Sequence, residues 1–284
     1  MDGVGKGYGV EESSVLAVKA GADIILKPGD VPRAIDAVVK AVESGDIPRP
    51  RIEQSVRRVL ELKARSGVAF QRYTSLDALR DVVGAPAHRA AAADIAQRAI
   101  TLLRDRGGVL PIAGRRSLVI QYMPETELRA GRVFAATLRA ATPDVRIVKI
   151  GPSASPGLLD SLQRMAESAE RVVMAAYVRR IEGEGRPSIP LHIAEWMERV
   201  AAADTLVPDA KVAMIAFGNP YLIRQVPSVA AYMVTFGVGD ALESAAAQAV
   251  LGRSAIGGVS PVSLPGFFSR GDGLRLAAVG APGR

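Results

Sequence analysis

The chain has no cysteine in its 284 residues. It therefore has no disulfide, no thiolate nucleophile and no cysteine-ligated zinc or iron–sulfur centre. Histidine is almost as scarce, with only His88 and His192. His192 stands among Ile189, Leu191, Ile193 and Trp196 at helical spacing, where a packing or surface role is ordinary, and His88 reads as linker. Aromatic residues are 5% of the chain and the arginines are scattered along helical stretches, so the net charge of +7 does not assemble a nucleic-acid surface. No apolar run approaches the ~20 residues that a membrane span needs. No basic stretch followed by an apolar core marks a secretion signal near Met1, so a soluble protein is expected, and cytoplasm or export through an upstream leader both stay open.

What is present is a globular composition, 49% hydrophobic, enough for one large domain or two ordinary ones. Glu11 to Ala20 reads as a short helix, and Ala22 to Leu26 as a buried strand between Gly21 and Pro28-Gly29. Asp30 is a good N-cap for a helix from Val31 to Glu43 that turns Ile35, Val38, Val39 and Val42 inward. A second helix, Arg51 to Ala64, repeats apolar Ile52, Val56, Val59 and Leu60 at spacings of three and four. Phe70 to Pro86 is expected to be a linker with one short helix at Leu76 to Val82.

Beyond it an alanine-rich helix is expected from Ala87 to Arg104, followed by alternating strands and helices. The strands are Ser117 to Tyr122, Val145 to Ile150, Arg171 to Val178, Lys211 to Phe217 and Ala230 to Thr235. The helices are Thr126 to Ala140, Gly157 to Ala169, Ile189 to Ala203 and Ala241 to Leu251. Apolar strands alternating with helices imply a parallel sheet covered on both faces, a three-layer αβα sandwich.

Several groups invite a functional reading. Gly3, Gly5, Gly7 and Gly9 resemble a phosphate-cradling loop only loosely, since no strand precedes them and no Walker pattern follows, so a flexible loop is expected. The pairs Glu182, Glu184 and Asp204, Asp209 lie in polar sequence and read as solvated turns rather than as acid and base. Asn219, between a strand and Pro220, suits a turn and a ligand contact equally well. Arg179 and Arg180 end a strand, with a solvated pair the ordinary role.

Ala20-Gly21-Ala22-Asp23-Ile24-Ile25-Leu26-Lys27-Pro28 and Ile52 to Leu62 (IEQSVRRVLEL) resemble the last strand and closing helices of the barrel in glycoside hydrolase family 3. Ala99 to Leu103 with Val109-Leu110-Pro111, Phe217 to Tyr221, and Gly257 to Pro265 (GGVSPVSLP) resemble landmarks of that family's second domain. The resemblance implies α/β architecture: a (β/α)8 remnant in residues 1–69, a linker in 70–86 and an αβα sandwich in 87–284. It also implies a retaining hydrolase with an aspartate nucleophile at the end of the seventh barrel strand.

Met1-Asp2-Gly3-Val4 resembles the tail of the nucleophile motif in the family's β-N-acetylhexosaminidase branch. By that likeness the motif's aspartate precedes Met1, and Asp2 and Lys6 belong to the rim of the substrate site. The branch's proton-transfer histidine has no counterpart, because neither His88 nor His192 stands in a matching context. No catalytic residue is therefore expected in the chain, and two alternatives stay open: β-glucosidase or β-xylosidase specificity within the same family, and a non-catalytic interaction or ligand-binding module. No metal or organic cofactor is implied, and the expected partner is a carbohydrate bound through the complete barrel.

Overall fold

The computed structural model describes residues 2–178, 188–204 and 211–279, without the side chains of residues 2–6 and Arg80. Two compact units divide the chain, Met1–Gly84 and Ala85–Arg284.

In the second unit six strands form one sheet: β1 (Thr101–Asp105), β2 (Ser117–Tyr122), β3 (Val145–Ile150), β4 (Arg171–Val178), β5 (Val212–Gly218) and β6 (Ala231–Val234). Their order is β1-β6-β5-β4-β2-β3. All neighbours are parallel except β1, which pairs antiparallel with β6 at one edge. The segment from Thr101 to Arg104, expected to be helical, is thus largely strand. Helix α5 (Pro86–Ala99) stops at Ala99, and Thr101 and Leu102 pair with Val234 and Met233. The local helical propensity of Leu102, Leu103 and Arg104 lost to a sheet edge that needed a partner.

Helices α6 (Arg132–Ala141) and α9 (Asp240–Val250) cover one face, and α7 (Pro156–Ser168) and α8 (Leu191–Asp204) the other. Central strands β2, β4 and β5 are buried nearly end to end, as their apolar runs require. Alternate residues feed two separate cores. One holds Ile120, Met174, Trp196 and Met214, the other Val119, Phe134, Val173 and Phe217. This is the three-layer arrangement of the sequence reading. The expected helix from Thr126 starts late, at Arg132, because Gly131 takes a left-handed conformation (φ 75°) at its head. His88, read as linker, lies inside α5.

The first unit contains α1 (Asp2–Lys19), α2 (Val31–Glu43), α3 (Arg49–Arg65) and α4 (Leu76–Val82). Asp30 caps α2 by accepting from the Arg33 amide at 3.1 Å, and Ser75 caps α4 through the Ala78 amide. Two expectations fail here. The glycines at the start are helical rather than a loop, with the break at Gly9 alone (φ 74°, ψ 172°). The segment Ala22–Leu26 belongs to no sheet. A strand exists only through its neighbours' hydrogen bonds, and among the described residues of this unit no second strand is available.

The same shortage leaves the amphipathic stripes of α2 and α3 uncovered. Ile35 is 57% exposed and Leu60 58%, with Ile24 at 63% and Leu26 at 74%. The buried centre of the unit is only Val18, Ala41 and Ile47, with Val15, Ile25, Val38, Val42 and Ile52 around it. Of the expected inward residues on α2, Val38 and Val42 reach that centre, whereas Ile35 and Val39 face outward.

Candidate functional site

The non-helical segment 22–28 is fixed at its start. Asp23 accepts from Ser55 Oγ at 2.8 Å, Arg51 Nη1 at 3.0 Å and Arg58 Nη1 at 3.0 Å, and Arg51 Nη2 also donates to the Ala22 carbonyl at 3.1 Å. The Ser55 hydrogen bond, followed by those of Arg58 and Arg51, lowers the Asp23 carboxyl from 3.8 to about 2. A depressed carboxylate contributes its stabilisation fully above the ordinary value and loses it as the pH falls from about 4 to about 2. A carboxyl-carbon NMR titration should therefore place the Asp23 midpoint near 2 in the native chain, and Ser55→Ala should move it upward. A native midpoint near 3.8 would show that the network does not form.

At its other end the segment reaches Lys27, whose backbone is left-handed at φ 50°, an unusual conformation for a side-chain-bearing residue. Asp2 and Lys6, expected at a substrate rim, lie in the first turns of α1, and their side chains are outside the described residues. Two open grooves of about 760 and 700 Å³ flank the α2–α3 pair. Both are apolar in floor, lined by Val38, Val39, Ile52, Val56 and Leu60. The glutamates at the rim of the larger, Glu43, Glu53 and Glu61, are solvent-exposed, and Glu53 pairs with Arg49 at 3.3 Å. Nothing in these grooves resembles two carboxyls facing each other across a dry cleft, the arrangement that retention demands. Among the described residues no group of three His, Asp or Glu side chains is placed to hold a metal ion.

In the sandwich the order of the parallel strands reverses between β2 and β4, the place where open α/β sheets commonly bind ligands beyond the strand ends. Here that place is filled from within. Glu243 of α9, 2% exposed, accepts from the amides of Gly131 (2.7 Å), Val133 (2.9 Å) and Phe134 (3.1 Å) at the head of α6. It occupies the position where a helix N-terminus would otherwise hold a bound anion. Gln121, fully buried, donates to the Gly131 carbonyl at 3.0 Å and to Tyr177 Oη at 3.4 Å. Burial, with Glu243 near by, pushes the Tyr177 phenol far up, and its ring stacks on Phe217 at 4.3 Å. Sequence spacing gave no hint of this network, since its members lie up to 112 positions apart.

Two of the remaining sequence candidates, Asn219 and Asp204, serve as structural groups. Asn219 Oδ1 accepts from the Tyr221 amide at 2.9 Å and caps a 3-10 turn, Pro220–Arg224. His192 is exposed on α8. Asp204, expected in a solvated turn, is 3% exposed and accepts from the Lys211 and Val212 amides at 2.9 Å. The start of β5 has donors that would otherwise be buried unpaired, and the carboxylate satisfies them. Glu182, Glu184, Asp209, Arg179 and Arg180 lie outside the described residues.

Comparison with known proteins finds likeness to glycoside hydrolase family 3. Residues 1–62 match the family description "Glycosyl hydrolase family 3 N terminal domain". The chain is 27% identical over 258 residues, 86% of its length, to a β-N-acetylglucosaminidase/β-glucosidase of Cellulomonas fimi, covering 44% of that relative. It is 35% identical over 103 residues to a lysosomal β-glucosidase of Dictyostelium discoideum, covering 36% of this chain and 12% of that one. A family 3 β-N-acetylglucosaminidase from Paenibacillus sp. str. FPU-7 superposes with a TM-score of 0.68 at 27% identity, over 93% of this chain and 49% of that structure. The chain thus spans about half the length of the relatives that it matches along most of its own. The resemblance read from the strand, helix and loop landmarks holds. Among the described residues no helix is long and apolar enough to cross a membrane.

Proposed function

We propose that the chain is part of a retaining glycoside hydrolase that releases terminal β-linked N-acetylhexosamine from peptidoglycan- or chitin-derived saccharides, with its nucleophile and acid/base in segments outside these 284 residues. The observation that carries this reading is the likeness along 86% of the chain to an enzyme named for β-N-acetylglucosaminidase activity. In this reading residues 1–69 close a (β/α)8 barrel, residues 70–86 link, and residues 87–284 form the supporting sandwich. The exposed stripes of α2 and α3 and the segment 22–28, which belongs to no sheet, are surfaces that neighbouring barrel elements would bury. Asp2 and Lys6 stand at the rim of the substrate cleft, touching sugar rather than breaking its bond.

A second reading, β-glucosidase specificity, is favoured by the Dictyostelium relative and by the double name of the Cellulomonas enzyme. Aryl β-N-acetylglucosaminide and aryl β-glucoside, assayed on the chain alone and on a polypeptide extended upstream by the preceding coding sequence, separate the possibilities. The expected result is no turnover by the chain alone and turnover by the extended form, with the higher kcat/KM on the N-acetylated sugar. Higher efficiency on the glucoside would select the second reading. Robust hydrolysis by the 284 residues alone would refute the placement of the chemistry elsewhere.

A further inference from the structure

In the sandwich unit a groove of about 450 Å³ is lined by Arg129, Arg132, Arg139 and Lys149, with Thr137, small Ala135 and Ala136, and a single acid, Asp240. The four cations come from three places in the fold: the loop before α6, the exposed side of α6, and the edge strand β3. Among the described residues none of the four is held by another side chain or carbonyl. Other cations of the same unit are engaged: Arg104 with the Pro227 and Val229 carbonyls, Arg116 with Ser168, Lys211 with the end of α7. Four cations gathered around a single acid keep a net like charge and repel one another, and an anion placed among them relieves that repulsion.

The geometry points to this groove as a binding site for an anion carrying two or more carboxylates or phosphates. The amides at the head of α6 are already taken by Glu243. The ligand is therefore gripped by side chains, with arginine forks supplying paired donors to planar or tetrahedral oxyanions. Thr137 adds a hydroxyl, and the alanines leave room for the body of the ligand. The site belongs to the sandwich and does not depend on the glycosidase reading.

Calorimetric titration of the full chain with inorganic pyrophosphate and, separately, with citrate at matched ionic strength tests it. Saturable one-site binding of at least one probe is expected, weakening as sodium chloride is raised. Tighter pyrophosphate binding identifies a phosphate ligand, and tighter citrate binding a carboxylate one. Arg132→Ala with Arg139→Ala should weaken binding about tenfold or more, the loss of two charge-assisted contacts. Arg146→Ala, an exposed cation of β3 outside the groove, should leave it unchanged. If the double variant unfolds, Lys149→Glu at the sheet edge provides the same test. Absence of saturable binding to both probes, or binding that these groove substitutions do not move, would overturn the assignment.

Discussion

Glu243→Ala should destabilise the sandwich unit by about 3 kcal/mol or more, the cost of leaving buried donors and their helix end without an acceptor. The carboxylate serves the Gly131, Val133 and Phe134 amides at once, and α6 has no side-chain cap of its own. Gly131 cannot be replaced by a better capping residue. Its φ of 75° disfavours other residues, and a Cβ there would stand 2.5 Å from Gln121 Nε2. The cap therefore comes from α9, and its loss uncouples two helices that pack together over the same core. For a unit of this size such a loss lowers Tm by roughly 6–12 °C. Glu243→Gln, which keeps an acceptor oxygen but turns an amide against the remaining donors, should fall between the native chain and the alanine variant. Thermal unfolding followed by circular dichroism reads both, and an alanine variant within 1 kcal/mol of native, judged against ordinary surface changes, would mean that water replaces the carboxylate without cost.

Gly258→Ala should be clearly damaging, while Gly257→Ala, one residue earlier, should be nearly silent. A Cβ on Gly258 would lie 2.5 Å from the Ile100 carbonyl, 2.6 Å from Thr101 Oγ1 and 3.0 Å from the Arg98 carbonyl, whereas one on Gly257 meets nothing within 4 Å. Two of the three obstacles are backbone where α5 passes into β1, so relief requires moving the chain that carries the edge strand. The Gly258 amide also donates to the Ile100 carbonyl at 3.2 Å, a contact that would part as the segments separate. Overpacking of this kind costs about 1–3 kcal/mol and occasionally more. Chemical denaturation of the two variants side by side tests the contrast, and equal stabilities would show that the approach of this loop to β1 is looser than the structure describes.

The paired glycines also show what the residues alone could and could not disclose. GGVSPVSLP resembles a landmark of glycoside hydrolase family 3, but a physical reason for its second glycine, a backbone passing against the start of an edge strand, appears only when Gly258 and Ile100 are brought together. Four helices and most strands of the sandwich were legible because period and burial coincide there. A strand covered on both faces is apolar throughout, and each helix between such strands shows one apolar stripe. The candidate site was legible only as an expectation about what lies elsewhere. Asp2 and Lys6 were placed by resemblance, and Asp204, one of the acids weighed in the sequence, proved to satisfy backbone.

By itself the sequence determined the resemblance to a family, the alternation of strands and helices, and the absence of thiol and cysteine-metal chemistry, since these rest on residue types and on spacings of a few positions. Tertiary structure alone decided that Thr101–Asp105 is a strand, that Ala22–Leu26 is not, that Ile35 and Leu60 face outward, and that Glu243 holds the head of a helix more than a hundred positions away. The difference is physical: helical periodicity is carried within a segment, whereas a strand, a buried stripe and a borrowed cap each exist only if another part of the chain arrives to complete them.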